Sequence, residues 1–288
     1  MLKIAITGST GQLGREWCRF LEKNQNEALL LPLTRRELDI TDSESVGRTM
    51  DSCNPDIVIN CAAYTDVDGA EDDPGSAYAV NEEGVRNLAE WCASHKRLLV
   101  HYSTDYIFPG VPEARSLYPD GYPEDARTGP VNRYGASKLA GESALKESGA
   151  PFLILRTSWL CGVYGNNFIR TMLKLSQERE ELRIVNDQFG SPSFAENVVY
   201  NSWNLMEQEE EGVFHITGSG LTTWYGFASE LFAQTGSSVR LQSIPSDQFP
   251  QKAARPAFSK LSTNKLAAIP GCRLEDWRVG LGRLLKQI

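Results

Sequence analysis

The first turn of the chain carries three glycines at three-residue intervals. The segment TGSTGQLG, residues 7 to 14, follows an apolar run at residues 3 to 6 and precedes a stretch with helical periodicity. Because glycine has no Cβ, Gly8, Gly11 and Gly14 permit a tight turn, close approach of a phosphate to backbone N–H groups, and close packing of helix on strand. The start of a helix adds unpaired N–H donors and the positive end of its dipole. The turn therefore predicts a site for a dinucleotide pyrophosphate, the alternative being a simple strand-to-helix connection.

Apolar runs alternate with helical patterns over the first half of the chain. Strands are predicted at residues 3–7, 29–33, 56–60, 98–103 and 152–156, and helices near 12–23, 43–52, 75–94 and 134–147. This alternation predicts an α/β fold with a Rossmann-type, doubly wound parallel sheet. Ligands of such a sheet lie outside the carboxyl ends of its strands. We therefore expect the glycine turn and the stretches after Asn60 and Ser103 to surround one crevice.

The pattern loosens beyond residue 160. Helices are predicted near 167–179, 196–208 and 223–235, and short strands near 183–186, 213–217 and 239–244. Two segments rich in proline and glycine, 109–130 and 245–258, are predicted as long loops over the crevice. We predict a dinucleotide-binding domain over residues 1–160 and a smaller C-terminal α/β substrate-binding lobe over 161–288, with some of its segments returning to the Rossmann core.

Composition excludes several classes of protein. With 41% hydrophobic and 23% charged residues among 288, the chain is neither disordered nor membranous. It shows no apolar run of about 18 residues and no secretory signal pattern, so a cytoplasmic location and no membrane partner are expected. The net charge of −8 argues against a nucleic-acid partner. The six cysteines form no Cys-x-x-Cys pair, which argues against a zinc site or a disulfide framework.

Candidate catalytic residues occur in YSTDYIF, residues 102 to 108, and YGASK, residues 134 to 138. Tyr134 and Lys138 are four residues apart on a predicted helix and so share one face. The lysine ammonium is expected to lower the tyrosine pKa from its usual value of about 10, which favours proton transfer near neutral pH. Thr104 would donate a second hydrogen bond to the oxygen that receives the proton. Lys138 can also hold a cofactor ribose.

The order of these motifs carries more information than any one of them. A Tyr-x-x-x-Lys pair alone occurs by chance on helix surfaces, but here it follows a glycine turn, Asn-Cys-Ala-Ala and Ser-Thr-Asp at three strand ends. The sequence resembles the extended short-chain dehydrogenase/reductases and, within them, the dTDP-4-dehydrorhamnose reductase family. The segments that carry the closer resemblance are NCAAYTDVDGAE (60–71), STDYIFPG (103–110), NRYGASKLAGE (132–142), RTSWL (156–160), GNNFIRTM (165–172), NDQFGSPS (186–193), TTWY (222–225) and ARPAFSKLST (254–263).

The resemblance implies an activity and a set of residue roles. Members of this family reduce the 4-keto group of dTDP-4-dehydro-β-L-rhamnose with a nicotinamide cofactor, in the last step toward dTDP-L-rhamnose, so a dTDP-sugar is the expected substrate. The implied residues are Thr104, Tyr134 and Lys138 for catalysis; Gly8, Gly11, Gln12, Leu13 and Gly14 for the pyrophosphate; Asp39 and Ile40 for the adenine; Ala62, Ala63, Tyr64 and Thr65 for the nicotinamide half; and Thr104, Asp105 and Trp159 for the sugar.

Charged residues suggest further contacts with the cofactor and the substrate. Arg35 and Arg36 occupy the end of the second predicted strand, where an arginine suits the 2′-phosphate of NADP, and Asp39 follows too late for the usual NAD contact. NADPH is therefore favoured, with NADH as an accepted alternative. Arg255 lies in a predicted loop and could bind the nucleotide diphosphate, or could be an exposed arginine without a ligand.

The resemblance also raises the questions of a metal and of assembly. Some members of the family form homodimers through Mg²⁺ held by carboxylates, at positions that match Glu16 and Glu196. Each could equally be a solvated helix residue. Two other functions stay open at this point: another nucleotide-sugar 4-ketoreductase, and a non-catalytic regulatory subunit resembling that of methionine adenosyltransferase, against which the intact Thr104, Tyr134 and Lys138 set argues.

Overall fold

The structure is a computed structural model that describes residues 1–24 and 28–288. Its strands are, in chain order, β1 (Leu2–Thr7), β2 (Ala28–Leu33), β3 (Ile57–Asn60), β4 (Leu98–Thr104), β5 (Phe152–Thr157), β6 (Leu160–Cys161), β7 (Glu181–Val185), β8 (Phe189–Gly190), β9 (Ser193–Phe194), β10 (Gly212–His215), β11 (Thr222–Thr223) and β12 (Arg240–Ile244). The five strands predicted over the first half are all present, each within one residue of its predicted ends.

The α-helices of the described residues include all seven predicted ones, near their predicted positions, and four of four to nine residues that were not predicted. They are α1 (Gln12–Lys23), α2 (Ser43–Cys53), α3 (Gly69–Asp72), α4 (Pro74–Tyr78), α5 (Gly84–His95), α6 (Ala114–Leu117), α7 (Arg133–Glu147), α8 (Phe168–Glu178), α9 (Ala195–Glu207), α10 (Trp224–Thr235), α11 (Asn264–Ala267) and α12 (Trp277–Leu285). The helix predicted at 75–94 is continuous only in part, because a π-helical turn at Ala79–Glu83 joins α4 to α5. Short 3₁₀ turns span Asp105–Ile107 and Ser246–Gln248.

Six strands form the central sheet in the order β10-β5-β4-β3-β1-β2. Every neighbouring pair is parallel, which confirms the predicted doubly wound, Rossmann-type α/β fold. Alternation along β1 sends Ile4 and Ile6 to a core shared with α1 and α9, and Ala5 to a core shared with α2 and α5. Helices therefore cover both faces of the sheet, as a buried parallel sheet requires.

The chain after residue 160 contributes to two regions. Strand β10 extends the central sheet by pairing with β5, and α9 packs on α1 beneath it. A separate apolar core joins α8, α10 and α12 with β7 and includes Phe227, Leu231 and Trp277. Strand β7 pairs with β12 in a small parallel sheet beside this core. The division into domains at residue 160 stays a prediction.

The two segments predicted as long loops pack on each other. The N–H groups of Ala257 and Phe258 both donate to the Gly110 carbonyl, at 2.8 and 3.1 Å, and Tyr122 N–H donates to Lys260 O at 2.9 Å. Phe108, Tyr122 and Phe258 form part of an apolar cluster between them. Backbone hydrogen bonds and this apolar cluster therefore hold the two segments against each other. Among the described residues, no helix is long and apolar enough to cross a membrane.

Candidate active site

A cavity of about 580 Å³ opens at the carboxyl ends of the central strands. We call it the first cavity. The predicted site residues that line it are Gly11, Gln12, Leu13, Ala62, Ala63, Thr65, Thr104, Asp105, Tyr134, Lys138 and Trp159. Gly8, Gly14, Arg35, Asp39, Ile40, Tyr64 and Arg255 lie outside its lining. The parallel topology thus gathers eleven of the predicted residues, from five separate sequence segments, around one space.

The three glycines of the first turn have different structural roles. Gly8 has φ +61°, and a Cβ there would lie 2.7 Å from Ala62 N; a Cβ on Gly14 would lie 2.3 Å from Gly8 O. These two positions let the turn pack against its neighbours. A Cβ on Gly11 would have Gly8 O at 3.2 Å as its one close neighbour, and this residue faces the cavity.

The N-terminus of α1 suits an anionic group. Among the described residues no side chain caps this helix at Gly11, and its first turn contains no acidic residue. The unpaired N–H groups of that turn and the positive end of the helix dipole therefore face the cavity. This arrangement fits the pyrophosphate of a dinucleotide.

Arg35, Arg36 and Asp39 follow β2 next to the glycine turn, because Ser9 N–H donates to Leu33 O at 3.2 Å. Both arginines are exposed. Arg35 Nε lies 3.6 Å from Asp39 Oδ2, and the Arg35 side chain is 83% exposed to solvent. Both arginines are thus accessible to solvent at the β2 edge of the central sheet.

Two asparagines shape the wall after β3. Asn60 Oδ1 accepts hydrogen bonds from Thr7 Oγ1 at 2.6 Å and from Ala62 N–H at 3.1 Å. Asn81, in the π-helical turn, accepts from Tyr64 N–H at 2.9 Å and donates to Tyr64 O at 3.0 Å. These contacts fix the backbone of residues 62–65. Ile40, predicted near the adenine, has its side chain in the core and its carbonyl bonded to Asn87 Nδ2 at 2.9 Å.

Tyr134 is placed by the start of α7. Asn132 caps this helix by accepting from Gly135 N–H at 2.8 Å, and the Tyr134 ring meets the Tyr106 ring edge to face, with centroids 5.9 Å apart. Burial raises the pKa of Tyr134 to about 12, while the nearby Thr104 hydroxyl acts in the opposite direction. Tyr134 therefore retains its proton at neutral pH.

Lys138 differs from the expectation drawn from its spacing. Its Nζ donates to Tyr102 O at 2.6 Å, and burial lowers its pKa to about 8. The pKa of Tyr134 is raised rather than lowered. Burial is the largest cause; Thr104 lowers this pKa and the charge of Asp105 raises it, and Lys138 is not among the groups that shift it. The expectation that the Lys138 ammonium lowers the Tyr134 pKa was therefore wrong, because both side chains are desolvated and the lysine is directed at the backbone of β4.

Thr104 and Asp105 form a hydrogen-bonded pair at the end of β4. Thr104 Oγ1 accepts from Tyr106 N–H at 3.2 Å and donates to Asp105 Oδ1 at 3.1 Å. Burial raises the pKa of Asp105 to about 7, although the hydroxyls of Ser259 and Thr104 oppose this. Because the threonine has one hydroxyl proton, it must turn away from Asp105 to donate to a substrate oxygen.

Trp159 lies between two cavities. Its φ of +46° is unusual for a bulky residue, and its ring stacks on Trp224 with centroids 3.6 Å apart and planes at 11°. Trp224 lines a second cavity of about 650 Å³, to which Tyr106 and Arg255 also contribute. Sequence reasoning missed Trp224 as a cavity residue, since an aromatic side chain on a helix face gives the same pattern when it packs in a core.

Arg255 is neither exposed nor free. Its Nη2 lies 3.0 Å from Asp68 Oδ2, its Nη1 donates to Ala253 O at 3.1 Å, and its side chain is 11% exposed. The ion pair holds the guanidinium in the wall of the second cavity. This position is compatible with a contact to a substrate phosphate in that cavity.

Glu16 and Glu196, the two candidate magnesium ligands, line one pocket outside the first cavity, where burial and, to a smaller extent, the charge of Glu196 raise the pKa of Glu16. Glu16 is 2% exposed and pairs with Arg19 Nη2 at 2.7 Å, while Glu196 Oε2 accepts from Gln287 Nε2 at 3.0 Å. Mg²⁺ requires several oxygen ligands in octahedral geometry, whereas Arg19 places a cation against one of these carboxylates. In residues 1–24 and 28–288 no group of three or more His, Cys, Asp or Glu side chains could hold a metal.

Comparison with known proteins identifies the family. The family model described as RmlD substrate binding domain matches residues 2–288. A dTDP-4-dehydrorhamnose reductase from Burkholderia thailandensis is 39% identical over 304 residues, covering 100% of this chain and 99% of its own, and one from Escherichia coli K12 is 38% identical over 299 residues, covering 100% and 98%.

A solved structure gives the same result. The crystal structure of dTDP-4-dehydrorhamnose reductase from Bacillus anthracis in complex with NADP superposes with a TM-score of 0.93 at 36% identity, covering 100% of both chains. Sequence and structure therefore agree over the full length. The chain belongs to the family described as RmlD substrate binding domain, and the three relatives named above, which it matches over 98% or more of their length, are dTDP-4-dehydrorhamnose reductases.

Proposed function

We propose that this protein reduces the 4-keto group of dTDP-4-dehydro-β-L-rhamnose to give dTDP-L-rhamnose, using NADPH, as the last step of dTDP-rhamnose biosynthesis. The observation that carries the proposal is full-length similarity to reductases of that name. It is supported by the first cavity, which is lined by Gly11 of the glycine turn together with Thr104, Tyr134 and Lys138. NADPH, when bound, supplies a hydride to the carbonyl carbon of the substrate.

Several segments would hold the cofactor. The N-terminus of α1, with Gly11, Gln12 and Leu13, binds the pyrophosphate, and Gly8 and Gly14 keep the turn in place. Residues 62–65, fixed by Asn60 and Asn81, face the nicotinamide half. Asp39 and Ile40 lie on the adenine side.

The phosphate of the adenine ribose decides the choice of cofactor. The exposed Arg35 and Arg36 receive the 2′-phosphate, since a guanidinium pairs well with a dianionic oxygen cluster. NADH is accepted more weakly, because it lacks that phosphate.

Tyr134 supplies the proton. As the carbonyl carbon receives the hydride, its oxygen takes the proton of the Tyr134 hydroxyl, and Thr104 turns from Asp105 to donate a hydrogen bond to the same oxygen. The raised pKa of Tyr134 keeps that proton in place until the oxygen becomes strongly basic. Lys138 binds the cofactor ribose beside it.

The substrate spans the two cavities. The sugar lies in the first cavity against Trp159 and Asp105, and the nucleotide diphosphate extends past the Trp159–Trp224 stack toward Arg255 in the second. The aromatic stack gives a rigid, water-excluding wall between the sugar and nucleotide ends. A role for Mg²⁺, the cytoplasmic location and assembly as a homodimer stay predictions.

The product of the reaction tests this function. Purified protein is incubated with NADPH and enzymatically prepared dTDP-4-dehydro-β-L-rhamnose, NADPH oxidation is followed by absorbance, and the product sugar is identified by NMR. We expect stoichiometric NADPH oxidation and dTDP-L-rhamnose. A C4 epimer as product would identify another 4-ketoreductase, and NADPH binding without turnover would favour the regulatory subunit.

A further inference from the structure

A chain of buried hydrogen bonds leads from β1 to the active-site lysine. Thr7 Oγ1 donates to Asn60 Oδ1 at 2.6 Å, and Ala62 N–H donates to the same oxygen at 3.1 Å. A backbone N–H can only donate; Ala62 N–H also lies 3.4 Å from Thr7 Oγ1, but its shorter contact is with Asn60, which places the amide oxygen on this side. The amide nitrogen, Nδ2, must then face His101 Nδ1, which lies 3.1 Å away.

This orientation defines the tautomer of His101. The ring is fully buried, and burial, followed by the charge of Lys138, lowers its pKa well below 6.5, so it is neutral and carries one N–H. Nδ1 accepts the hydrogen bond from Asn60 Nδ2 and cannot carry the proton. The proton is therefore on Nε2, which lies 3.4 Å from Lys138 Nζ.

The contact between His101 and Lys138 discriminates between the two protonation states of the lysine. An ammonium has three N–H groups and no lone pair, so an N–H that points at it has no acceptor and is repelled. A neutral amine can accept from His101 Nε2–H with its lone pair and still donate to Tyr102 O, to which Lys138 Nζ is 2.6 Å distant. The histidine therefore stabilises the amine relative to the ammonium.

We propose that His101 is a positioning residue of the active site, which directs Lys138 Nζ to the Tyr102 carbonyl and favours its neutral amine through the Nε2–H group. The proposal rests on the proposed function in one respect, namely that Lys138 belongs to the catalytic set. It assigns a role to a buried histidine of β4 that is not among the residues lining the first cavity.

Other charged and titratable groups face Lys138 as well. Glu142 lies one turn further along α7, and its charge raises the lysine pKa in opposition to burial. Cys61 follows β3; burial raises the pKa of its thiol, so it carries no charge near neutral pH. Glu142 is itself paired with Arg156 Nη2 at 2.8 Å, which limits its effect on Lys138. Burial prevails and brings the pKa of Lys138 to about 8. Amine and ammonium are thus both populated just above neutral pH, where a neighbouring N–H can shift the balance.

The tautomer is tested on the wild-type protein. Of the three histidines, His101 is assigned in ¹⁵N-histidine-labelled protein by the resonance that His101→Asn removes. We expect ¹⁵N shifts of a neutral ring protonated at Nε2 throughout the range from pH 6 to 9. A ring protonated at Nδ1, or one that titrates in this range, would overturn the proposal without requiring that any variant fold.

A matched pair of variants tests the effect on Lys138. His101→Asn keeps an acceptor near the Nδ1 position for Asn60 and removes the group that faces Lys138, whereas His101→Gln places a carboxamide near Nε2 whose oxygen can accept from an ammonium. The pKa of Lys138 is read from its ¹³Cε shift in ¹³C-lysine-labelled protein, assigned with Lys138→Met. We expect the pKa to rise by about one unit, a tenfold change in the amine-to-ammonium ratio, and more in His101→Gln. An unchanged or lowered Lys138 pKa in both variants contradicts the proposal.

These experiments separate the inference from the proposed function, since neither uses a sugar substrate. If the NMR results are as expected and no 4-keto sugar is reduced, the proposed function fails and the role of His101 stands. If the sugar is reduced but the Lys138 pKa does not respond to the His101 substitutions, the role of His101 fails and the proposed function stands. In an active enzyme, the alkaline limb of the kcat profile should move upward with the Lys138 pKa in both variants, which a purely structural role of His101 would not cause.

Discussion

Asp105 is a carboxylic acid that the fold removes almost completely from solvent, leaving 3% of it exposed. Burial raises its pKa to about 7, whereas the pKa of an aspartate in an unfolded chain is about 3.9. The folded state thus holds this proton more tightly than the unfolded state. The resulting stabilisation is fully present below the unfolded pKa and is lost as the pH rises to the folded pKa. At pH 8 the buried charge therefore lowers the stability of the protein.

Replacing this carboxyl group with an amide should stabilise the protein at alkaline pH. For Asp105→Asn, the gain in unfolding free energy over wild type should be larger at pH 8 than at pH 5 by on the order of 2 kcal/mol. Urea denaturation at the two pH values measures it, with Asp120→Asn at an exposed position as the control. A gain that is equal at both pH values would show that Asp105 does not carry a raised pKa.

The catalytic residues illustrate how far sequence reasoning reaches at this scale. The spacing of Tyr134 and Lys138 placed both side chains on one helix face, and both line the first cavity. The spacing could not indicate that Lys138 bonds to Tyr102 O, because that partner comes from β4 and depends on how α7 packs. The sign of the pKa shift on Tyr134 was missed for the same reason: desolvation is a property of the packed structure.

At the scale of elements, local signals were sufficient for the Rossmann half. Apolar runs bounded by turn residues located β1 to β5, since a buried parallel strand is a short continuous apolar run. The same signal located β10. It did not indicate that β10 pairs with β5, because pairing between distant segments leaves no pattern in the local sequence. The π-helical turn at Ala79–Glu83 and the positive φ of Trp159 also arise from tertiary contacts and were not predicted.

The strand–turn–helix element yields a prediction from its three glycines. Gly11→Val places a side chain where the backbone meets the cavity, with one close neighbour at 3.2 Å, so the protein should fold while NADPH affinity falls by more than about tenfold. Calorimetry measures the affinity, and circular dichroism checks the fold. Gly14→Val is the matched control: its Cβ would lie 2.3 Å from Gly8 O, so this variant should lose the fold itself. NADPH affinity that is unaffected in Gly11→Val would remove the role of Gly11 at the pyrophosphate.

The end of β2 yields a prediction on cofactor choice. Replacing Arg35 and Arg36 together by alanine should weaken NADPH binding by about tenfold and leave NADH binding nearly unchanged, because only NADPH carries the 2′-phosphate. Titrations with both cofactors measure this selectivity. Arg240→Ala, an exposed arginine on β12, is the control. Equal losses for the two cofactors would show that neither arginine reads the phosphate.

At the scale of the whole molecule, two cavities share walls made of aromatic pairs. Trp159 stacks on Trp224, and Tyr134 meets Tyr106, with one member of each pair in each cavity. The pairs come from four separate segments, so the substrate path forms only when the sheet and the C-terminal core assemble. The net charge of −8 does not prevent an anionic substrate from binding, because Arg255 supplies a local positive charge in the second cavity.

The turnover number of Tyr134→Phe tests the central claim most directly, that this molecule is a reductase whose proton comes from Tyr134. The substitution keeps the ring and its contact with Tyr106 but removes the transferable proton. We expect kcat for reduction of dTDP-4-dehydro-β-L-rhamnose to fall by about 10²-fold or more, with NADPH affinity changed little and Tyr106→Phe retaining most of its activity. Reduction by Tyr134→Phe at nearly the wild-type rate would contradict the account, since the proton would then come from another group.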